Sequence, residues 1–352
     1  MSTTTQTRTT SMATQRTRRR IGINGFGRMG RLALRAGFDR GDLEFVAINQ
    51  PGADAENMAL LLEFDSVQGR WGHTCSGVAE VVRVGEHGLS VTRHSSPGEI
   101  DWSACGVDIV LECSGRFRKT ELLTPHLDRG ARRVVVSAPV HDGPPNIVVG
   151  VNHQGVDFSA ESIVTAASCT SNCLAPVVRV LHDAIGIERG LVTTIHNPTN
   201  TQTVHDALLA DPRRGRASQV SLIPTSTNSA TAVTLIIPEL LGKLDSIAVR
   251  VPVFNASLTD AVFHMRRVTS VAEVNAALRD AAHTGPLAGI LGYEERPLVS
   301  VDFVRDPRSA IVDAGSTRVT DGRLVKVFAW YDNEWGYANR LVELVGAVAA
   351  AL

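Results

Sequence analysis

The sequence has little of what would assign it to a specialised class of protein. Apolar stretches such as residues 109–111 and 134–136 are far shorter than the ~20 residues that a membrane span needs. Lys and Arg number 35 and Asp and Glu number 36, and this balance gives no support to a surface built for nucleic acid or anionic lipid. We therefore expect a soluble protein that binds neither a membrane nor nucleic acid.

Paired cysteines are missing as well. The five cysteines form an odd set with no C-x-x-C pair: Cys75, Cys105, Cys113, Cys169 and Cys173. Disulfide frameworks and zinc ribbons need paired cysteines, so the sequence predicts neither a disulfide nor a metal site. The pattern fits a reducing, cytoplasmic compartment, in which one thiol can serve as a nucleophile.

The near-zero net charge is an average over two unlike parts. The first 20 residues hold five Arg and no acid, and the remaining residues hold 30 basic against 36 acidic side chains, a net charge of −6. Rich in Thr, Ser and Arg and without an apolar stretch, residues 1–18 are predicted to be a disordered tail. A targeting peptide or a cloning remnant is the alternative, and secretion is not expected because no apolar signal segment is present.

The 352 residues are enough for two domains. In the first 150 residues, short β-branched runs alternate with Ala- and Leu-rich segments such as the predicted helix 29–38. The β-branched runs lie at 20–24, 43–48, 107–111 and 133–136. This alternation indicates a parallel sheet covered by helices. Longer strands at 191–195, 248–253, 257–265 and 324–330 predict a mixed, largely antiparallel second sheet. The segment 337–352 has helical spacing and is predicted to pack back as a closing helix.

A dinucleotide fingerprint follows the first predicted strand. The run Gly25-Phe26-Gly27-Arg28-Met29-Gly30 opens the predicted helix, the context in which G-x-G-x-x-G places a pyrophosphate on a helix N-terminus. A glycine-rich turn without a ligand is the alternative reading. The strand, helix and second strand around the motif favour a Rossmann unit.

The second predicted strand is followed by Gln50, where such folds usually carry an acid that binds the adenosine ribose. Glutamine can bond a hydroxyl but lacks the charge that repels the extra phosphate of NADP. We therefore expect both NAD and NADP to be accepted.

Cys169 lies in the polar turn 167–172, which runs into the apolar periodicity of a predicted helix. Helix N-terminal N–H groups and a nearby imidazolium would stabilise a thiolate, so we expect a lowered pKa and a nucleophilic role. A buried structural thiol is the alternative, and Cys173, one turn further on, is interpreted as a core residue.

His196 follows a predicted strand and opens a polar loop, a position suited to a general base. Arg213 belongs to a charged run and Arg250 interrupts an apolar strand; both are candidates for gripping phosphate oxygens. A single histidine or a charge run is more often structural or solvated, and only the pairing with Cys169 favours a catalytic His196.

Four motifs in order resemble the phosphorylating glyceraldehyde-3-phosphate dehydrogenase family over about residues 20–352. They are Asn24-Gly25-Phe26-Gly27-Arg28, Ser168-Cys169-Thr170-x-Asn172-Cys173, Thr193-Thr194-Ile195-His196 and Trp330-Tyr331-Asp332-Asn333-Glu334-Trp335-Gly336-Tyr337. The resemblance implies that Cys169 attacks an aldehyde, that His196 acts as base and holds the oxyanion, and that hydride passes to a nicotinamide. Hydride loss leaves a thioester, and inorganic phosphate then releases its acyl group as an acyl phosphate. It also implies a homotetramer.

The resemblance also carries binding residues and domains. Those matching substrate and phosphate contacts are Ser168, Thr170, Thr199, Arg213, Thr227 and Arg250; those matching cofactor contacts are the fingerprint residues, Gln50, Ser137, Asn333 and Tyr337. We expect an α/β protein: a Rossmann NAD(P)-binding domain over 19–168, completed by helix 334–352, and an α+β catalytic domain over 169–333.

Departures from the family pattern leave alternatives open. Gln50 replaces a usual Asp, Asn228 replaces a usual Gly beside a phosphate subsite, and a one-residue deletion before Arg213 weakens that assignment. Stretches 61–71, 199–203, 255–260 and 291–297 are most similar to a branch associated with arsenical efflux permeases, in which arsenate is the attacking anion. Stretches 299–303 and 309–313 also resemble erythrose-4-phosphate dehydrogenase, which uses water instead. A non-catalytic nucleotide- or RNA-binding protein is the alternative from another class.

Overall fold

Two sheets form the framework of the protein. The computed structural model describes residues 18–352, and the predicted tail, residues 1–18, lies outside them except for Arg18. The first sheet has eight strands in the order β3-β4-β5-β2-β1-β6-β7-β8. They are β1 (Arg19–Asn24), β2 (Leu43–Asn49), β3 (Cys75–Val78), β4 (Val81–Val84), β5 (His87–Thr92), β6 (Ile109–Glu112), β7 (Arg133–Val136) and β8 (Ile163–Thr165).

This sheet is parallel except at its β3–β4–β5 edge. Strand β1 pairs in parallel with β2 on one side and β6 on the other, so the strand order reverses beside it. The crevice at such a reversal is where open α/β sheets bind their ligands. Helices α1 (Arg28–Gly37), α2 (Ala55–Glu63) and α3 (Thr120–Asp128) belong to the same unit.

The second sheet has seven strands in the order β10-β11-β9-β12-β15-β14-β13. They are β9 (Ile187–His196), β10 (Ile223–Ser226), β11 (Leu244–Arg250), β12 (Ser257–Met265), β13 (Leu291–Glu294), β14 (Ala310–Thr320) and β15 (Leu324–Tyr331). Only the pairs β11–β9 and β13–β14 are parallel, which confirms the prediction of a mixed, largely antiparallel sheet. Helices α4 (Cys169–Ala184), α5 (Ser229–Ile236) and α6 (Val271–His283) share one core with it.

The chain closes with α7 (Trp335–Ala350), which packs back on the first unit as predicted. Its residues Leu341, Leu344 and Val345 are fully or almost fully buried in the core that contains Ile21 and Ile23 of β1. The Rossmann-plus-α+β architecture expected from the sequence is therefore the one observed.

Element bounds follow the predictions most closely where an apolar run has the length of a strand. Strands β7 and β12 match them, and α1 is displaced by one residue. The prediction of a strand over 248–253 is wrong by four residues at its start, because pairing with β9 begins at Leu244. It also extends too far, because the apolar run around Pro252 continues as a loop after Arg250.

The start of α7 is held against α1 by ion pairs. The Arg28 guanidinium lies between the carboxylates of Asp65 and Glu334, with an Nε–Oε1 distance of 2.7 Å to Glu334 and an Nη1–Oδ2 distance of 2.5 Å to Asp65. The Asp65 side chain is 3% exposed and that of Arg28 is 25% exposed. Removing one partner of such a shielded group leaves uncompensated charge.

We predict that Arg28→Met lowers the free energy of unfolding by about 1 to 3 kcal/mol, because two shielded carboxylates lose their common cation. Urea unfolding followed by circular dichroism measures this. The matched control is Arg279→Met, which removes an Arg279–Asp280 pair whose side chains are at least half exposed. An equal decrease in the free energy of unfolding in the two variants would contradict a stabilising role for Arg28.

Candidate active site

A tight connection between β8 and α4 positions Cys169. Ala167 has a φ of 52°, a left-handed conformation uncommon for a residue with a Cβ, and is completely buried. The Tyr337 hydroxyl of α7 donates to the Ala167 carbonyl at 3.1 Å, and Thr165 Oγ1 accepts from the Ala167 N–H at 3.1 Å. Ser168 caps α4 by accepting from the Ser171 N–H. Cys169 is therefore the first residue of α4, as predicted.

His196 faces Cys169 from the end of β9. The Sγ–Nε2 distance is 3.8 Å, and His196 Nδ1 donates to the Asn197 carbonyl at 2.7 Å, which leaves Nε2 free to accept a proton. His196 is the last residue of the strand rather than the first of the loop. The parallel register of β9 and β11 pairs it with Arg250, whose Nη1 donates to the Asn197 carbonyl at 3.1 Å.

Burial decides the ionisation of this pair. Loss of water around the Cys169 thiol raises its pKa above the ordinary value, although the Thr170 hydroxyl and the charge of Arg250 lower it in part. Burial, together with the charge of Arg250, lowers the pKa of His196 to about 3. The expected lowering of the thiol pKa is therefore wrong for this chain, because it counted the helix terminus and an imidazolium but not desolvation. A neutral His196 is suited to act as a base.

A cavity of about 460 Å³, which we call the hydroxyl cavity, opens beside Cys169 and His196. Five of the six predicted anion-binding residues line it: Ser168, Thr170, Thr199, Thr227 and Arg250. The sixth, Arg213, lines a separate cleft with Asp211 and Thr225, so the structure does not bring it to this cavity. Its neighbour Arg214 does not line the cavity either, but the charge of Arg214 contributes to lowering the pKa of Arg250.

A second cleft, of about 410 Å³, meets the hydroxyl cavity at Cys169 and His196. We call it the dinucleotide cleft. Its walls include Arg28, Met29, Ser137, Asn333 and Tyr337, all predicted cofactor contacts. Cys169 therefore lies where two cavities of different character join.

The fingerprint glycines form the turn before α1. Gly25 has a φ of 92°, and a Cβ there would come within 2.5 Å of the Ser114 backbone; at Gly30 it would come within 2.2 Å of the Gly25 oxygen. Gly27 is the N-cap, no side chain caps the helix, and its first turn has no acid. Unpaired N–H groups and close backbone approach fit the pyrophosphate of NAD.

Three predicted cofactor residues have their side chains engaged within the protein. Phe26 is buried in the core, and the Arg28 guanidinium is held by two carboxylates, so what Arg28 can offer a phosphate is its backbone N–H. Gln50 Oε1 accepts from the Phe26 N–H at 2.6 Å, and its Nε2 donates to the Pro51 carbonyl at 3.0 Å. Gln50 therefore braces the turn while remaining uncharged.

Sequence reasoning missed a buried carboxylate behind this turn. Glu112, 1% exposed, accepts from Asn24 Nδ2 at 2.5 Å, His126 Nε2 at 3.1 Å, and both the N–H and the hydroxyl of Ser114. Trp102 Nε1 donates to His126 Nδ1, which fixes the ring proton on Nε2. The only signal in the sequence was an acid at the end of an apolar strand.

Comparison with known proteins agrees with this geometry. Family models described as the NAD binding domain and the C-terminal domain of glyceraldehyde 3-phosphate dehydrogenase match residues 19–120 and 168–333. The chain is 56% identical to glyceraldehyde-3-phosphate dehydrogenase 3 of Nostoc over 333 residues, covering 95% of this chain and 99% of the relative. This chain belongs to the glyceraldehyde-3-phosphate dehydrogenase family. It is an NAD-dependent oxidoreductase of that type.

Other dehydrogenases of the family are nearly as similar. Glyceraldehyde-3-phosphate dehydrogenase of Pseudomonas aeruginosa is 50% identical over 335 residues, covering 94% of this chain and 98% of the relative. That of Geobacillus stearothermophilus is 46% identical over 331 residues, with 94% and 98% coverage. Within residues 18–352, no group of side chains is arranged to hold a metal ion, and no helix is both long and apolar enough to cross a bilayer.

We predict that Arg250→Gln raises the pKa of the Cys169 thiol further, because a positive charge that favours the thiolate is lost. The rate of iodoacetamide alkylation at Cys169, followed by mass spectrometry across pH, reports the change. Arg250→Lys keeps the charge and should restore most of the original profile. Superimposable profiles for the wild type and Arg250→Gln would contradict the electrostatic role.

Proposed function

We propose that this dehydrogenase oxidises D-glyceraldehyde 3-phosphate through a thioester on Cys169, which inorganic phosphate or arsenate then releases. The products are 1,3-bisphosphoglycerate or 1-arseno-3-phosphoglycerate. The observation that carries the proposal is the 3.8 Å Cys169–His196 pair at the junction of the hydroxyl cavity and the dinucleotide cleft. Family membership supports the aldehyde and the cofactor.

The chemistry assigns a role to each member of the pair. Cys169 Sγ bonds to the aldehyde carbon while His196 Nε2 takes the thiol proton. His196 then gives this proton to the former aldehyde oxygen, and the product is a hemithioacetal. His196 Nε2 then takes the hydroxyl proton as the carbon loses a hydride, for which NAD held in the dinucleotide cleft would supply the acceptor. An oxygen of the anion attacks the resulting thioester and the Cys169 sulfur leaves. Ser168, Thr170, Thr199, Thr227 and Arg250 supply donors for the anionic oxygens.

The proposal extends to the cofactor and the assembly. An uncharged Gln50 supports use of NADP beside NAD. A homotetramer is supported by apolar side chains on the sheet face away from the helices, where Leu191 is 68% and Ile247 is 47% exposed; ultracentrifugation would measure the four-chain mass. The unpaired state of all five cysteines supports a cytoplasmic location.

We predict that reduction of NAD with D-glyceraldehyde 3-phosphate requires phosphate or arsenate, because the thioester has no other acceptor of comparable reactivity. Cofactor absorbance with each anion added or omitted measures this. Cys169→Ser should lose about a thousandfold or more in kcat, since the weaker nucleophile forms an ester instead of a thioester. Anion-independent turnover of erythrose 4-phosphate would reject the proposal in favour of the erythrose-4-phosphate dehydrogenase reaction.

A second prediction concerns Gln50. The ratio of kcat/KM for NAD to that for NADP should lie below about a thousandfold, ~4 kcal/mol. Gln50→Glu should raise this ratio by about tenfold or more, because it adds a charge beside the 2′-phosphate position while keeping an acceptor for the Phe26 N–H. The neutral control Gln50→Leu should change kcat/KM for NAD and for NADP by the same factor. A wild-type ratio above a thousandfold would rule out dual use.

A further inference from the structure

Thr194 lies on the floor of the hydroxyl cavity and has no role assigned above. Along β9, Val192, Thr194 and His196 are buried and share one face, while Leu191 and Thr193 face the other. The register of β9 with β11 sets Thr194 beside Ala248 and His196 beside Arg250. Thr194 is thus placed about 7 Å along the strand from the base.

The Thr194 hydroxyl is buried without a partner. The residue is 1% exposed, and its Oγ1 makes no hydrogen bond within the described structure. Its neighbour Ala248 has no side-chain acceptor, and the hydroxyl of Thr259 on the other side contacts Cys173 Sγ at 3.5 Å. An unsatisfied buried donor is costly and calls for an explanation. A ligand oxygen in the cavity supplies one.

Asn228 stands at the mouth of the same cavity with a free amide. It is the N-cap of α5, yet its side chain does not cap the helix and makes no hydrogen bond within residues 18–352. Its φ of −102° is ordinary for any residue, so backbone geometry does not explain why the usual glycine is replaced. The adjacent hydroxyls of Thr227 and Ser229 already bond each other at 2.7 Å. The exposed Asn228 amide therefore remains available.

The charges of the cavity select the ligand. The cavity is lined by Arg118 and Arg250 together with six hydroxyl side chains and the Asn228 amide, and none of the described residues that line it is an acid. Positive charge combined with neutral donors suits a tetrahedral oxyanion. Because such an anion has several acceptor oxygens, it can accept hydrogen bonds from Thr194 on the cavity floor and from Asn228 at the cavity mouth at the same time.

We propose that the Thr194 hydroxyl and the Asn228 amide donate hydrogen bonds to the phosphate or arsenate that attacks the thioester, and so determine the affinity for that anion. This inference rests on the function proposed above and deepens it. The anion enters from solvent past Asn228 and reaches the acyl carbon of the thioester on Cys169 beside His196, with Thr194 below it. The phosphate group of the aldehyde substrate is left to the other donors.

The test varies the anion at saturating aldehyde and NAD, with phosphate and arsenate as separate arms. Asn228→Gly and Thr194→Val should each raise the KM for the anion about tenfold, the effect of one hydrogen bond to a charged group. The KM for the aldehyde and the pre-steady-state burst of cofactor reduction should stay within about twofold of wild type, because acylation precedes anion attack. Thr194→Ser returns the hydroxyl and should restore the anion KM.

Two readouts separate this role from a structural one. Thr194→Val replaces an unpartnered hydroxyl by a methyl of similar shape, so thermal stability should be unchanged or higher while the anion KM rises. An unchanged anion KM in both variants, or a rise in the aldehyde KM instead, would overturn the inference. If the wild-type enzyme shows no anion dependence at all, it is the proposed function that fails. A tenfold rise in the KM for arsenate alone, or for phosphate alone, would support the inference and identify the anion that Thr194 and Asn228 recognise.

Discussion

The left-handed backbone at Ala167 is the constraint from which the site follows. It joins the last strand of the dinucleotide sheet to the first helix of the second unit within four residues, so Cys169, the proposed nucleophile, stands between the two cavities. For alanine this conformation costs on the order of 1 kcal/mol. The hydroxyls of Tyr337 and Thr165 hold it in place, and the first of these comes from the closing helix. Tyr337 of the closing helix thereby fixes the backbone beside Cys169, the proposed nucleophile.

The electrostatics of the site depend on the same compact packing. Desolvation disfavours charge on both Cys169 and His196, which keeps the imidazole neutral and able to accept a proton. A lowered His196 pKa means that its protonation does not limit the reaction until pH falls toward about 3. The reactive thiolate of Cys169 accumulates as pH rises toward the raised pKa of the thiol, and the charge of Arg250 assists that ionisation. In the proposed reaction, one guanidinium therefore serves both the nucleophile and the anionic ligands.

Local patterns were enough to predict the Rossmann unit, the start of α4 and the closing helix. Glycine spacing, a polar turn before an apolar helix and a β-branched run each act over only a few residues. Properties that depend on distant contacts were not predictable. The placement of Arg213 outside the hydroxyl cavity, the raised pKa of Cys169 and the unpartnered hydroxyl of Thr194 all arise from how β9, β11 and the following loop pack. Strand register across more than 50 residues has no local sequence signature.

The cofactor turn and the nucleophile are tied to one rigid framework. Glu112 binds Asn24, the residue before Gly25, and Ser114, against whose backbone Gly25 packs, so a single buried carboxylate fixes both sides of the turn. Trp102 keeps His126 in the tautomer that donates to Glu112, and four neutral donors satisfy the charge without a lysine or arginine. On the other side, Arg28 links the same turn to α7, which holds Ala167 through Tyr337. Because the proposed hydride transfer requires the cofactor to keep its position relative to the Cys169 adduct, this continuous set of contacts allows the two sheets to act as one site.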